Sequence, residues 1–330
     1  MPTTSLHHLQ QHTTIVADTG NLHAIERLRP TDATTNPSLI TAAAQDPINQ
    51  ALLEQVQQQA EAEGLRDAAL IERMIDLLTV QFGIEILKLI DGRVSTEVDA
   101  RLSFDQAATV TKAHELIEIY QQAGIDRERV LIKIAATWQG IQAAQQLEAD
   151  GIHCNLTLLF GLHQAIACAD AGVTLISPFV GRILDWQKKS TGRTEIPVTE
   201  DAGVQSVKQI YTYYKQHGYQ TQVMGASFRS TAQILALAGC DLLTIAPNLL
   251  DELSLLTTDI DQPLCLDWAT QQPPMPQQRL DAAQFMQQHA QDPMSSELLQ
   301  AGIDGFVQAR QQLTAQLMSQ LTTQLQQRFA

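Results

Sequence analysis

Along the chain, eight short runs of apolar and β-branched residues alternate with longer stretches in which apolar positions recur every three or four residues. The runs fall at 13–17, 33–35, 94–98, 130–135, 154–157, 174–177, 222–226 and 242–245, and their length and composition predict β-strands. Between most of them the helical period returns, at 104–123, 138–149, 162–171 and 204–218. Strands alternating with helices predict right-handed βαβ units and a parallel sheet. Eight such units close naturally into an α/β fold of the (β/α)8 TIM-barrel type. An open doubly wound sheet competes with this, but it usually carries a Gly-rich phosphate turn after its first strand. Asp18-Thr19-Gly20-Asn21 is not such a turn, which favours the barrel.

Two segments exceed the repeat. The stretch 37–91 is long for one crossover and predicts two or three helices, one of them at 72–82. After the eighth strand about 80 residues continue through Asn248-Leu249-Leu250, a turn at Gln272-Pro273-Pro274-Met275-Pro276, and a final helical stretch from Gly305 onward. Neither segment has its own strands or a flexible linker, so residues 1–330 read as one barrel domain with extra helices after strand 2 and at the C-terminus. The glutamine clusters, such as Gln57-Gln58-Gln59, sit in helical periodicity and read as neutral helix surface.

With 44% hydrophobic and 17% charged residues the chain can bury a substantial core. The formal net charge of -15 disfavours nucleic acid and anionic membrane surfaces as partners, because both would be repelled. A phosphorylated substrate therefore requires arginines that reverse the field locally. Cys154, Cys168, Cys240 and Cys265 lie 14, 72 and 25 positions apart, so no metal-ligand spacing exists and free thiols are expected. His153 and Cys154 are adjacent, and neighbours on a strand point to opposite faces, which disfavours a metal there. No signal-peptide pattern and no apolar run of about 18 residues occurs, so a cytoplasmic setting is the expectation.

Lys133 changes the picture most. It lies in Arg129-Val130-Leu131-Ile132-Lys133-Ile134-Ala135-Ala136-Thr137, where its strand neighbours are aliphatic. An ammonium buried there must pair with an anion or give up its proton, and a neutral lysine attacks sugar carbonyls to form an imine. A structural lysine bound to a carboxylate on a neighbouring strand is the alternative. In a barrel the strand ends and the loops after them build the active face. Those ends carry Asp18, Asn36, Glu97, Lys133, Asn155 with Thr157, Ser177 with Arg182, and Ser227 with Arg229. Any one of them could be a turn or cap residue, but their recurrence on seven consecutive strands favours a site. Breaking a carbon–carbon bond beside a ketone needs an electron sink and proton shuttles; Lys133 supplies the first, and Asp18 and Glu97 are candidates for the second. Arg182 and Arg229 each lie near a hydroxyl and a glycine, a combination suited to phosphate, unless they are surface arginines paired with acidic residues. Lys188, Lys189 and Arg193 form a basic loop that reads as solvated surface.

These segments resemble the transaldolase family in its longer form. The resemblance is carried by Val16-Ala17-Asp18-Thr19-Gly20, Asp32-Ala33-Thr34-Thr35-Asn36-Pro37-Ser38, Gly92-Arg93-Val94-Ser95-Thr96-Glu97-Val98-Asp99, the Lys133 run with Thr137-Trp138-Gln139-Gly140, Cys154-Asn155-Leu156-Thr157, Ser177-Pro178-Phe179-Val180-Gly181-Arg182, and Gly225-Ala226-Ser227-Phe228-Arg229. It implies transfer of a dihydroxyacetone unit from sedoheptulose 7-phosphate to glyceraldehyde 3-phosphate in the non-oxidative pentose phosphate pathway, without cofactor or metal. By the same resemblance Lys133 forms the Schiff base, Asp18 is the acid/base at the cleaved hydroxyl, and Glu97 with Thr157 acts through water on the carbinolamine. Thr34, Asn36, Asn155 and Ser177 would contact substrate hydroxyls, and Arg182, Ser227 and Arg229 the phosphate. Family members resemble class I aldolases with a circularly permuted barrel, which accounts for the lysine on the fourth strand. The resemblance also implies a homodimer, although the segment around Ser295-Ser296-Glu297 and Ile196-Pro197-Val198 diverge.

Two rivals remain at this level. A fructose 6-phosphate aldolase of the same fold would hydrolyse the imine and release dihydroxyacetone; Phe179, an apolar ring beside the site, cannot orient a water as a tyrosine hydroxyl could, which favours the transferase. A catalytically silent sugar-phosphate-binding protein would need a missing catalytic group, and none is missing.

Overall fold

The computed structural model describes residues 4–260 and 263–328. Its strands are β1 (Thr14–Asp18), β2 (Asp32–Thr34), β3 (Val94–Glu97), β4 (Val130–Ala135), β5 (Cys154–Leu159), β6 (Leu175–Pro178), β7 (Gln222–Gly225) and β8 (Leu242–Ile245). Each pairs in parallel with the next, and β8 returns to β1, so the sheet closes into the expected eight-stranded barrel. Boundaries differ from the sequence reading by one or two residues. The difference matters at Asp18 and Glu97, which end their strands inside the sheet ladder and are therefore held by backbone pairing.

The barrel interior is layered by the period-2 pleat. Val16, Leu131, Leu175, Met224 and Leu242 form a closed apolar plug inside it. Two residues further along each strand the same face comes round again, one pleat higher. Above Val16, Leu131, Leu175 and Leu242 this brings Asp18, Lys133, Ser177 and Thr244 to one level. The apolar plug closes the interior below, so these polar side chains meet their neighbours on adjacent strands and whatever enters from the C-terminal mouth.

The long segment after β2 holds three α-helices, Pro37–Gln45, Gln50–Ala62 and Asp67–Leu87. The first starts where Asn36 caps it, its Oδ1 accepting from Leu39 N at 3.0 Å, with Pro37 at the first helical position. The third helix is longer than the sequence reading placed it, because its apolar positions run on to Leu87. Gly83 lets it approach the helix Gln106–Gln122 closely: a Cβ there would stand 1.7 Å from Tyr120 Oη. That hydroxyl shares a 2.6 Å hydrogen bond with Thr96 Oγ1, beside Glu97.

The final helix runs Pro293–Arg328 and begins twelve residues before the expected Gly305. Asp292 Oδ1 accepts from Ser295 N at 3.0 Å and Pro293 opens the first turn, a start signal that outweighs the two glycines that follow. Gly302 and Gly305 each lower the helix propensity of the interior. Gly302 is needed because the helix crosses the barrel closely enough that a Cβ would stand 2.5 Å from Leu158 Cδ2. Leu158 itself takes φ 54 where the β5–β6 register shifts between Leu156 and Leu159. This irregularity interrupts the ladder around Thr157 before it resumes at Leu159 and Pro178.

Not every glutamine is surface. Gln164 is fully buried; its Oε1 accepts from Phe160 N and Gly161 N at 2.9 and 3.0 Å, and its Nε2 donates to Ala136 O at 2.9 Å. Helical periodicity does not separate this one from the solvated glutamines of other helices. None of the helices among the described residues is long and apolar enough to cross a membrane.

Gly83→Ala gains about 1 kcal/mol of helix propensity but forces Tyr120 off Thr96, an overpacking cost of about 1–3 kcal/mol. The clash at 1.7 Å decides the sign, so the variant is expected to unfold at lower urea concentration than the parent. A midpoint equal to or above the parent's would show that the two helices can separate freely.

Candidate active site

Register builds the centre of the site. Lys133 on β4 has Glu97 of β3 and Asn155 of β5 as its direct ladder partners, and partners in a parallel sheet project to the same face. Lys133 is 5% exposed; its Nζ stands 3.2 Å from Glu97 Oε2 and donates to Thr35 O at 3.1 Å. The contact with Glu97 is an ion pair without the alignment of a hydrogen bond. Glu97 Oε2 and Thr157 Oγ1 are both buried without any hydrogen-bond partner in the protein. Buried polar atoms of this kind are uncommon, and here they hold capacity for a substrate hydroxyl or a reacting water.

Asp18 faces Lys133 from β1. Its Oδ1 accepts from Thr34 Oγ1 at 3.2 Å, and Thr34 Oγ1 lies 2.8 Å from Thr244 Oγ1. Burial pushes the Asp18 carboxyl above its ordinary range, opposed by Lys133, by the Thr34 hydroxyl and by Arg182. The remaining exposure of Asp18 is to the cavity it lines. Burial likewise raises Glu97, with Lys133 as the main opposing influence. The two carboxylates are thus displaced in the same direction. What distinguishes them is their partner: Glu97 touches the amine, Asp18 a hydroxyl.

A cavity of about 190 Å³ opens above this layer. It brings together Asp18, Thr34, Asn36, Lys133, Thr157, Ser177, Phe179, Arg182, Ser227 and Arg229, all expected from the sequence. Glu97 reaches it through Lys133. Asn155 does not line it: it is fully buried, accepts from Ser177 Oγ at 2.6 Å and donates to Ser95 Oγ at 3.0 Å. In this state Asn155 holds Ser177 in place rather than presenting a free amide. Asn36 keeps both functions, as helix cap and cavity wall.

The two arginines differ. Arg182 lies on the helix Gly181–Thr191, packs over the rings of Phe179 and Phe306 at 5.0 and 5.9 Å, and pairs with no carboxylate among the described residues. Burial and the nearby Arg229 hold its guanidinium below the usual range. Arg229 is half-exposed and bound to Asp185 at 2.8 Å, the surface pairing that the sequence left open. Ser227 takes φ 61, and its carbonyl accepts from Gly181 N at 2.6 Å, which ties the two loops together. Lys188 and Lys189 close the Gly181–Thr191 helix, and Arg193 pairs with Glu200 at 2.8 Å, outside the cavity.

Sequence reasoning missed Thr244, Phe306 and the support from Ser95. Thr244 carried a usable signal, standing two residues past Leu242 on the last strand. Phe306 carried none, because an aromatic residue in a helical pattern reads as core. His153 bonds to Glu148 and Glu128 at 3.1 and 3.0 Å, and among the described residues no three His, Cys, Asp or Glu side chains converge on a metal position. Cys154, Cys168 and Cys240 are buried free thiols and Cys265 is an exposed one.

A closed (β/α)8 barrel thus carries, at one end, a buried lysine between two carboxylates and an arginine without an ion pair beside the same cavity. The family model described as Transaldolase/Fructose-6-phosphate aldolase matches residues 15–317, and the chain belongs to that family. Among its relatives, the transaldolase of Thermosynechococcus vestitus is 57% identical over 311 residues, covering 93% of this chain and 79% of that protein. The transaldolase of Methylococcus capsulatus is 55% identical over 320 residues, 96% of this chain and 97% of the other. That of Synechocystis sp. is 58% identical over 307 residues, 92% and 78% respectively.

A raised Asp18 carboxyl means that the folded chain keeps a proton at pH values where the unfolded chain has lost it. Stability therefore falls as pH rises above the ordinary value of 3.8, and ionised Asp18 is a net cost above that window. Asp18→Asn removes the cost: it is expected to melt at or above the parent temperature at pH 7, with the gain fading as pH approaches 4. Melting curves across that range check this, and a variant whose deficit against the parent grows with pH would overturn it.

Proposed function

We propose that this chain is a transaldolase that transfers a dihydroxyacetone unit from sedoheptulose 7-phosphate to glyceraldehyde 3-phosphate, giving erythrose 4-phosphate and fructose 6-phosphate through an imine on Lys133. The observation that carries the reading is Lys133 Nζ, 3.2 Å from Glu97 and opposite Asp18, at the floor of a cavity bordered by Arg182. Lys133 passes a proton to Glu97, whose raised carboxyl is a suitable acceptor, and its neutral amine adds to the ketose C2 carbonyl. Glu97, with Thr157 Oγ1, protonates the carbinolamine hydroxyl, which leaves as water and yields the iminium. Asp18 takes the proton of the C4 hydroxyl; the C3–C4 bond breaks, the aldose leaves as an aldehyde, and the electron pair moves into the iminium to form an enamine. The acceptor aldehyde then adds at the enamine carbon, and its new alkoxide recovers the proton from Asp18. Water restores the carbinolamine and frees the product. Arg182, with Ser227 and Arg229, holds the phosphate; the guanidinium without an ion pair is the one ready to bind it.

The homodimer, the place in the pentose phosphate pathway and a cytoplasmic setting follow from the family resemblance and form part of the same proposal. Borohydride reduction in the presence of fructose 6-phosphate, followed by peptide mapping, is expected to leave a three-carbon adduct on Lys133. Absence of the adduct under conditions where the sugar phosphate binds would sink the mechanism.

The aldolase alternative turns on water. Phe179 is 7% exposed, packs edge-on against Phe160 at 5.5 Å and offers no hydrogen-bonding group to the cavity. Phe179→Tyr places a hydroxyl where it can orient a water toward the imine. The expected outcome is a severalfold rise in free dihydroxyacetone relative to transferred product, and an unchanged or lower ratio would remove Phe179 from that role.

A further inference from the structure

Gly302, Phe306 and Arg310 are spaced four apart on the C-terminal helix and so share one face. At Gly302 a Cβ would stand 3.1 Å from Arg182 Nη1. Phe306, 5% exposed, lies under the Arg182 guanidinium and lines the cavity. One turn further, Arg310 is nearly buried between Asp99 and Glu72, with Nε 3.0 Å from Asp99 Oδ2. Asp99 lies two residues beyond Glu97, and Glu72 belongs to the helix Asp67–Leu87. Arg101 binds the same two carboxylates, at 2.8 Å to Asp99 Oδ2 and 2.7 Å to Glu72 Oε2. The helix is also fastened by Thr41 Oγ1, which donates to Ala309 O at 3.0 Å.

We propose that this face of the C-terminal helix sets the preference for phosphorylated substrates: Phe306 and Phe179 hold Arg182 toward the cavity, and Arg310 anchors the helix that carries Phe306. The inference rests on the transaldolase reading and adds a specificity element to it. A free arginine loses rotamer freedom when it captures an anion, which weakens the gain. Packing against a ring restricts the guanidinium through its face and leaves its in-plane N–H donors open. A carboxylate partner would occupy those donors, as Asp185 does for Arg229. Phe306 and Arg310 are positioning residues here, acting through Arg182.

The test compares Phe306→Leu, Arg310→Met and Arg310→Lys in the full chain. In a double-displacement reaction kcat/KM for the acceptor reports only the second half, so the ratio for D-glyceraldehyde 3-phosphate over D-glyceraldehyde isolates the phosphate contact. The ratio is expected to fall about fivefold to tenfold in Phe306→Leu, the loss of one partly desolvated cation–ring contact. It falls in Arg310→Met and is partly restored in Arg310→Lys, while borohydride trapping of dihydroxyacetone on Lys133 keeps its yield. Calorimetric binding of inorganic phosphate weakens by the same factor, a readout that needs no turnover. Equal losses for both acceptors, or lower melting temperatures with an unchanged ratio and unchanged phosphate affinity, would reduce the helix to a structural part and overturn the proposal. Failure of the transaldolase reading is separate: the unsubstituted chain would then give neither transfer nor a Lys133 adduct.

Discussion

One ammonium held in an apolar barrel organises the site. Burying a lysine costs several kcal/mol in lost hydration unless an anion and hydrogen-bond acceptors compensate. Here Glu97, one strand away in register, and the Thr35 carbonyl do so. The compensation is incomplete: Glu97 Oε2 and Thr157 Oγ1 stay without hydrogen-bond partners, and burial raises both carboxylates. An apolar pair of equal volume would serve stability as well or better, so the arrangement makes sense as chemistry. A raised carboxylate beside an amine is a better proton acceptor than an ordinary one, which is what the proposed imine chemistry requires.

The barrel makes this possible through its layering. The plug of Val16, Leu131, Leu175, Met224 and Leu242 closes the interior from below, and the next pleat carries Asp18, Lys133, Ser177 and Thr244. Ser95 of β3, Asn155 of β5 and Ser177 of β6 form a hydrogen-bonded chain that passes across β4, the strand of the lysine. The proposed phosphate site is built differently. Arg182 and Arg229 come from loops and helix ends, and the rings that flank Arg182 come from β6's loop and from a helix more than a hundred residues later. In a chain of net charge -15, an arginine with no carboxylate partner is a local reversal of the field.

Much of this was legible from the sequence, for a specific reason. Strand and helix periods differ, so eight strands stood out, and the polar residues at the ends of seven of them marked the candidate face. Asp18, Glu97 and Thr157 were singled out because they stand at strand ends, and Lys133 because it interrupts an aliphatic run. The errors lie where periodicity carries no such contrast. Gln164 looks like any helix glutamine until its amide meets the backbone around β5, and the final helix begins at Pro293, where Asp292 caps its first turn, rather than at Gly305.

The sequence by itself determined the barrel, the level at which its chemistry sits and the residue types available there, because pleat and helical period are local properties of the chain. Tertiary structure alone decided which of those residues touch. It gave Lys133 to Glu97, turned Asn155 into a support for Ser177, tied Arg229 to Asp185 and left Arg182 unpaired over Phe306. Those outcomes depend on distances between segments far apart in the chain, and no local pattern records them.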